Sequence, residues 1–192
     1  MGKYLAHSKD DGLNIPEQPY ETHIIGVCQG CIKRLLRLKK YMADTDMYKA
    51  IERMVMLAGE YHDLGKLAEL SQEILRQEKD GKLINHVDAG VAHMISLYTE
   101  TEQLEYLGAA LLIHAHHIGF LDFEELVKEQ RDMLKITYIP SDNLRDHKSC
   151  VKYNMDDIEV CDYVDNNISK YIKIHKKSVK LSKELKTDSI SN

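Results

Sequence analysis

The stretch over residues 51–66 reads IERMVMLAGEYHDLGK. Its apolar side chains recur every three or four residues, at Ile51, Met54, Val55 and Ala58. That spacing predicts an amphipathic helix with one buried face. The helix leads directly into the polar pair His62-Asp63, and Gly65 indicates a bend or a close contact shortly afterwards.

The same helical spacing of apolar residues recurs along most of the chain. It predicts helices over residues 20–41, 47–60, 70–77, 86–98, 103–117, 123–134 and 156–173, with an extended stretch at 136–140. Three prolines and ten glycines in 192 residues are few for a turn-rich β architecture. We therefore predict one all-α globular domain over residues 1–174. A lysine- and serine-rich tail over 175–192 is expected to be a solvated end or the start of a linker.

The composition limits the classes of function. A hydrophobic content of 43% and a charged content of 30% are ordinary for a soluble globular protein. The chain has no apolar run long enough to span a bilayer and no signal-peptide pattern, so we expect a cytoplasmic protein that makes no use of a membrane. The net charge of −5 argues against a domain that grips nucleic acid mainly through its own basic surface. It does not argue against an enzyme that cuts nucleic acid delivered by a partner.

Four cysteines are present, and two of them form the spaced pair Cys28-Gln29-Gly30-Cys31. Such a pair suggests a redox or zinc site. No second pair has a matching spacing, however, and the segment lies within a predicted helix. We therefore expect buried helical thiols, because a free cysteine behaves as a small hydrophobic residue.

The ten histidines are notable for their placement. His62 and Asp63 are adjacent, as are His116 and His117, and neighbouring side chains on a helix point about 100° apart. Both members of a pair therefore rarely belong to the core, and buried imidazoles or carboxylates need partners. A metal ion would supply that partner. The residues expected to be ordinary core or surface histidines are His7, His93, His114, His147 and His175.

The order of these residues resembles the HD superfamily of metal-dependent phosphohydrolases. Taken alone, His23 and His86 fit a ligand or an ordinary histidine equally well. In the chain, however, His23 precedes HDLGK at 62–66 and His86 lies between HDLGK and the double histidine, which is the order found in that family. Within the superfamily, the sequence is most similar to the HD nuclease domain of the CRISPR-associated type I helicase-nuclease, which degrades DNA opened by the Cascade surveillance complex. The segments that carry this resemblance, over about residues 4–166, are YLAHS (4–8), YETHIIGV (20–27), NHVDAG (85–90) and CDYVD (161–165).

The resemblance implies a site for two divalent ions. One ion would be held by His23, His62, Asp63 and Asp162. The other would be held by Asp63, His86, His116 and His117, with Asp63 bridging the pair. Asp162 fits the closing motif best, and Asp165 is the alternative. Mixed imidazole and carboxylate ligands suit manganese, iron, nickel, cobalt or zinc, and magnesium is a further candidate.

The resemblance also implies a reaction. Such a pair of ions lowers the pKa of a bound water and holds the scissile phosphate. Lys66 would offer positive charge to the phosphate or to the transition state, so the expected catalytic residues are His62, Asp63 and Lys66. The expected enzyme is a nuclease that cuts single-stranded DNA in type I antiviral defence, together with a helicase domain or subunit and the Cascade complex.

Other interpretations stay open. HD-GYP phosphodiesterases share the ligand order, but IGFLD stands at 118–122 where they have Gly-Tyr-Pro. A phosphohydrolase of nucleotides or cyclic dinucleotides is therefore the second interpretation. A regulatory HD domain that binds a ligand or partner without turnover is the third, although the intact ligand positions disfavour it. The helicase motors that usually accompany this nuclease domain are not in the sequence, so an excised domain and a separately encoded subunit both fit.

Overall fold

The computed structural model describes residues 4–80, 86–116, 135–138, 151–154 and 168–181. Its helices are α1 (Tyr20–Lys39), α2 (Thr45–Tyr61), α3 (Glu69–Leu75), α4 (Val87–Thr101), α5 (Leu104–Ala115) and α6 (Ser169–Ser178), with a short 3-10 helix (Leu64–Leu67) between α2 and α3. Its strands are β1 (Leu5–His7), β2 (Gln18–Pro19), β3 (Lys135–Tyr138) and β4 (Val151–Asn154). The prediction of a single all-α domain is confirmed. None of the described helices is long and apolar enough to cross a membrane.

Helix α2 begins and ends for local reasons. The Asp44 carboxylate accepts hydrogen bonds from the backbone N–H groups of Asp46 and Met47, both at 2.9 Å, and so caps the first turn. After Tyr61 the backbone leaves the α-helix and forms the tighter 3-10 helix. The helix therefore does not continue through Lys66, and a turn lies at the position where the sequence indicated a bend.

The helices pack closely where small residues allow it. Helix α2 contacts both α1 and α5, α5 packs on α4, and the 3-10 helix contacts α4 and α6. A Cβ atom at Gly90 would collide with the backbone oxygen of Tyr61, so α4 can approach the end of α2 only with glycine there. Fully buried side chains of the core include Tyr20, Ile24, Leu64, Met94 and Ile113.

The strands attach short segments to this core. β1 pairs with β2 in antiparallel orientation, with His7 opposite Gln18, and β2 leads directly into α1. β3 and β4 form a second antiparallel pair. The predicted extended stretch at 136–140 is thus found in β3 as far as Tyr138, while the helix predicted over 123–134 and residues 156–167 of the last predicted helix lie outside the described residues.

The predicted end of the domain needs a correction. The sequence indicated a polar tail from residue 175, whereas α6 continues to Ser178 and both His175 and Val179 are buried. The buried residues Ile168, His175 and Val179 recur at helical spacing, and the histidine in the middle of this stripe conceals it in the sequence. The packed part of the chain therefore extends beyond residue 174.

His175 belongs to a buried polar group that we call the His175 network: Tyr20, Glu60, Tyr61, His93 and His175. The Nδ1 atom of His175 lies 3.0 Å from the Tyr20 hydroxyl oxygen, and its Nε2 atom lies 3.4 Å from Glu60 Oε1. Tyr61 packs against the rings of His175 and His93, with 4.8 Å between centroids in each case. His93 and His175 are thus core histidines with identifiable neighbours, and for His175 this differs from the solvated tail that the sequence indicated.

Cys28 and Cys31 lie on α1, Cys28 fully buried and Cys31 partly buried. Burial raises the pKa of the Cys28 thiol to about 12, so this side chain stays protonated. The expectation of a buried helical thiol is confirmed at Cys28.

Candidate metal centre

Histidines from four separate segments converge on Asp63. His23 lies in the first turn of α1, His62 and Asp63 follow α2, His86 precedes α4, and His116 follows α5. Helix ends bring these side chains together because α1, α2, α4 and α5 pack side by side. The Asp63 carboxylate at their centre is almost fully buried, at 1% exposure.

Both oxygens of Asp63 have nitrogen neighbours. Oδ2 lies 3.0 Å from His23 Nε2, 3.4 Å from His62 Nε2 and 2.8 Å from Lys66 Nζ. Oδ1 lies 3.2 Å from His86 Nε2. One carboxylate therefore joins two sets of imidazoles.

These sets form two groups of residues that could hold a metal ion. The first contains His23, His62 and Asp63, and the second contains Asp63, His86 and His116. Within each group the ligand atoms lie within 4.8 Å of one another. The groups share Asp63, and the ring of His116 lies 5.1 Å from that of His62 and 5.9 Å from that of His86.

Hydrogen bonds fix how two of the rings face the centre. His23 Nδ1 lies 3.1 Å from Gln18 Oε1, and His62 Nδ1 lies 3.1 Å from the backbone oxygen of Gly59. Each of these oxygens only accepts, so each Nδ1 carries the hydrogen. A neutral ring then presents an Nε2 lone pair to the centre, as a metal-binding histidine does.

The arrangement at the centre is incomplete with protein atoms alone. The Nε2 atoms of His23 and His62 are 3.2 Å apart beside a carboxylate, so two lone pairs face each other whenever both rings are neutral and carry their hydrogen on Nδ1. In addition, Asp63 Oδ2 is buried and makes no well-directed hydrogen bond, although three nitrogens lie close to it. A proton or a cation between these atoms removes the repulsion. Imidazole nitrogens and a carboxylate oxygen are suitable ligands for a divalent transition metal, so the residues fit such an ion.

The Asp63 carboxylate is held in its charged form. Burial by itself raises the pKa of Asp63, but the neighbouring nitrogens of His23 and His62 and the charge of Lys66 outweigh burial. The pKa therefore lies well below its usual range. An ionised carboxylate is the state that binds a metal.

Lys66 is not the ordinary surface lysine that its residue type favours. It is 4% exposed, and its ammonium group lies beside the Asp63 carboxylate. A buried charge requires such a partner. Lys66 is thus fixed within the site, one turn of 3-10 helix beyond Asp63.

Gly65 allows the segment that carries Asp63 to approach His86 closely. Its backbone N–H donates to the backbone oxygen of His86 at 3.2 Å. A Cβ atom at Gly65 would lie 2.6 Å from that oxygen, which is closer than any side chain permits. The close contact predicted from this glycine is therefore found, and it holds His86 against the segment that carries Asp63.

Five of the seven ligands expected from the sequence lie together in this centre: His23, His62, Asp63, His86 and His116. His117, Asp162 and the alternative Asp165 lie outside the described residues. Sequence reasoning missed Gln18, which orients His23, and left His7 among the ordinary histidines. The β1–β2 pair brings both residues to the site, and the apolar spacing of the sequence does not indicate this pairing.

Comparison with known proteins adds no relative. No family model, no curated protein and no solved structure matches this chain. The resemblance to HD nucleases therefore depends on the order of its motifs, and the two metal-binding groups depend on their own geometry.

Proposed function

We propose that this chain is a divalent-metal-dependent phosphodiesterase, and that its substrate is single-stranded DNA cut in type I CRISPR interference. The observation that carries the phosphodiesterase proposal is the pair of histidine–aspartate groups sharing Asp63. The motif order from residue 4 to residue 166 supports the DNA substrate and the helicase and Cascade partners.

The proposal assigns the metal ligands as follows. His23, His62 and Asp63 hold one ion, and Asp63, His86 and His116 hold a second ion. His117 and Asp162 complete the sets by resemblance. Manganese, iron, nickel, cobalt and zinc suit these ligands, with magnesium as a further candidate. A bound ion supplies positive charge that polarises a phosphodiester and lowers the pKa of a nearby water.

The protein side chains prepare this chemistry. The hydrogen bonds to Gln18 and Gly59 hold the rings of His23 and His62 with Nε2 inward, so the ligands need no reorientation. The ammonium group of Lys66 has three hydrogens and forms an ion pair with Asp63. Its N–H donors can stabilise the negative charge that develops on a phosphodiester during hydrolysis.

Removal of the shared carboxylate tests the proposal. We expect Asp63→Ala and the isosteric Asp63→Asn to lower metal-dependent cleavage of a single-stranded oligodeoxynucleotide at least about 100-fold, since both ions lose a ligand. Circular dichroism would verify that the Asn variant is folded. The matched control is Asp46→Asn, because Asp46 is a highly exposed aspartate at the other end of α2.

The same assay separates the alternatives. Full activity of the Asp63 variants with metal present would contradict the proposal. Turnover of nucleotides or cyclic dinucleotides in preference to single-stranded DNA would favour the small-molecule phosphohydrolase. Metal binding without turnover of any of these substrates would favour a regulatory domain.

A further inference from the structure

We propose that His7 is a further residue of this site and contacts a phosphodiester oxygen of the substrate, at the solvent side of the metal-binding groups. The inference deepens the proposed function and depends on it. It starts from the position of His7, which the sequence left among the ordinary histidines.

His7 lies beside the centre and is open to solvent. Its ring packs edge-on against the ring of His23, with 4.9 Å between centroids and 75° between planes. His7 is exposed, whereas the side chains of His23, His62 and Asp63 are 17%, 11% and 2% exposed. An anionic substrate that approaches the buried ligands from this side meets His7 first.

His7 is adjacent to the ligands without being one of them. Among the residues that the structure describes, the groups of clustered ligand atoms include His23 and Asp63 but not His7. Its ring packs against that of His23, and the strand that carries His7 is joined to the segment of Lys66 through the Gln72 amide. A phosphodiester held at the metal-binding groups can therefore reach His7.

The strand that carries His7 is fixed on both sides. His7 is opposite Gln18 in the β1–β2 pair, and the Gln18 side chain is the one that orients His23. On the other side, the buried amide of Gln72 accepts from the Leu5 N–H at 2.9 Å and donates to the Leu5 oxygen at 2.9 Å.

The same Gln72 amide also holds the segment of Lys66. Its Nε2 atom donates a second hydrogen bond, 2.7 Å long, to the backbone oxygen of Lys66. One buried side chain thus sets the positions of β1 and the 3-10 helix relative to each other. Such preorganisation is what a substrate-binding pair of side chains requires, because little conformational freedom is then lost on binding.

The chemistry of an imidazole suits this contact. A ring in either protonation state offers at least one N–H group, and a phosphodiester oxygen accepts it. The contact therefore needs no change in the protonation of His7. Its expected contribution is to substrate binding and orientation, and not to metal binding.

The experiment compares His7→Ala and His7→Gln in the full chain loaded with Mn²⁺. We expect His7→Ala to lower kcat/KM for bis(p-nitrophenyl) phosphate about 10- to 100-fold, the range found when a hydrogen bond to a charged group is lost. His7→Gln, which keeps an N–H donor, should recover part of the loss. The Mn²⁺ affinity from calorimetry should stay within about twofold of the wild-type value, because His7 is not a ligand. Lys9→Ala, which removes an exposed cation next to β1, is the matched control.

Two outcomes would overturn the inference. In one, His7→Ala keeps the wild-type kcat/KM. In the other, His7→Ala loses Mn²⁺ affinity as strongly as His23→Ala, which would make it part of the metal-binding structure.

Calorimetric binding of inorganic phosphate to the Mn²⁺-loaded proteins separates this failure from failure of the proposed function. If wild-type protein hydrolyses no phosphodiester, the proposed function is wrong. In that case weaker phosphate binding by His7→Ala still supports the contact, and unchanged phosphate binding overturns it.

Discussion

The end of α2 contributes to two histidine-rich regions, and they differ in how their polar atoms are paired. Glu60 and Tyr61 belong to the His175 network, whereas His62 and Asp63 belong to the candidate metal centre. In the network, His175 Nε2 faces a carboxylate oxygen that only accepts, which leaves Nδ1 to accept from the Tyr20 hydroxyl. Every nitrogen of that ring thus has a partner of the complementary kind.

The metal centre has the same residue types without this complementarity. When both rings are neutral, the Nε2 lone pairs of His23 and His62 face each other, and the buried Asp63 Oδ2 has the charge of Lys66 beside it but no well-directed hydrogen bond. Leaving a buried polar atom unsatisfied costs about 1–3 kcal/mol, and more for a charged group. The comparison teaches that a cluster of histidine and carboxylate side chains becomes a candidate metal site when its own hydrogen bonds cannot satisfy it.

The largest expected effect is the loss of stability when the His175 network is disrupted. His175→Ala should lower the free energy of unfolding by about 3 to 5 kcal/mol, because it leaves a cavity and takes away the partner of the Tyr20 hydroxyl. Urea denaturation followed by circular dichroism measures this change. Lys177→Ala, at an exposed position on the same helix, should leave stability within about 0.5 kcal/mol of wild type. If His175→Ala and Lys177→Ala were equally stable, the contribution of His175 to the core would be contradicted.

The next effect is the pH dependence of stability that His93 causes. Burial, followed by the positive charge of Lys176, lowers the pKa of His93 to about 4, from 6.5 in an unfolded chain. The folded state therefore resists protonation, so its stability is complete above pH 6.5 and falls as the pH decreases towards 4. The loss amounts to about 3 kcal/mol and does not grow further below pH 4. Denaturation curves of wild type and His93→Gln should differ in their pH dependence by this amount, and identical dependence would contradict it.

The smallest effect distinguishes the two regions directly. Mn²⁺ at about 100 times its dissociation constant should raise the free energy of unfolding of wild type by about 2.7 kcal/mol, because only the folded chain brings the ligands together. The Lys177→Ala and His93→Gln variants should gain as much, whereas Asp63→Asn should gain almost nothing. If Mn²⁺ stabilised the Asp63 variant as much as wild type, the ion would bind elsewhere. EDTA should reverse each increase in the free energy of unfolding that Mn²⁺ causes.

Much of this organisation is local and is therefore visible in the sequence. The spacing of apolar residues places α1, α2, α4 and α5 within a few residues of their observed bounds, because each helix buries one face. The adjacent pair His62-Asp63 likewise indicates the centre, since neighbouring helical side chains point about 100° apart and both rarely belong to the core.

The rest depends on partners that are distant in the chain. Gln72 contacts Leu5 across 67 positions, and no local pattern indicates that this amide joins β1 to the segment of Lys66. The end of α6 from His175 onward was predicted as a tail, because a histidine interrupts the apolar stripe there. The contacts of His175 with Tyr20 and Glu60 explain why that histidine can be buried. The segment after Tyr61 is similar, because Gly65 donates a hydrogen bond to His86, a residue of a separate segment of the chain.

The His175 contact also has a consequence for biosynthesis. His175 and Tyr20 are 155 positions apart, so α1 lacks one of its buried partners until nearly the whole described chain has left the ribosome. Contacts of such long range form late, and their absence leaves apolar surface of a nascent chain open to aggregation. In a nascent chain that ends before residue 175, the buried Tyr20 therefore lacks the side chain that pairs with its hydroxyl.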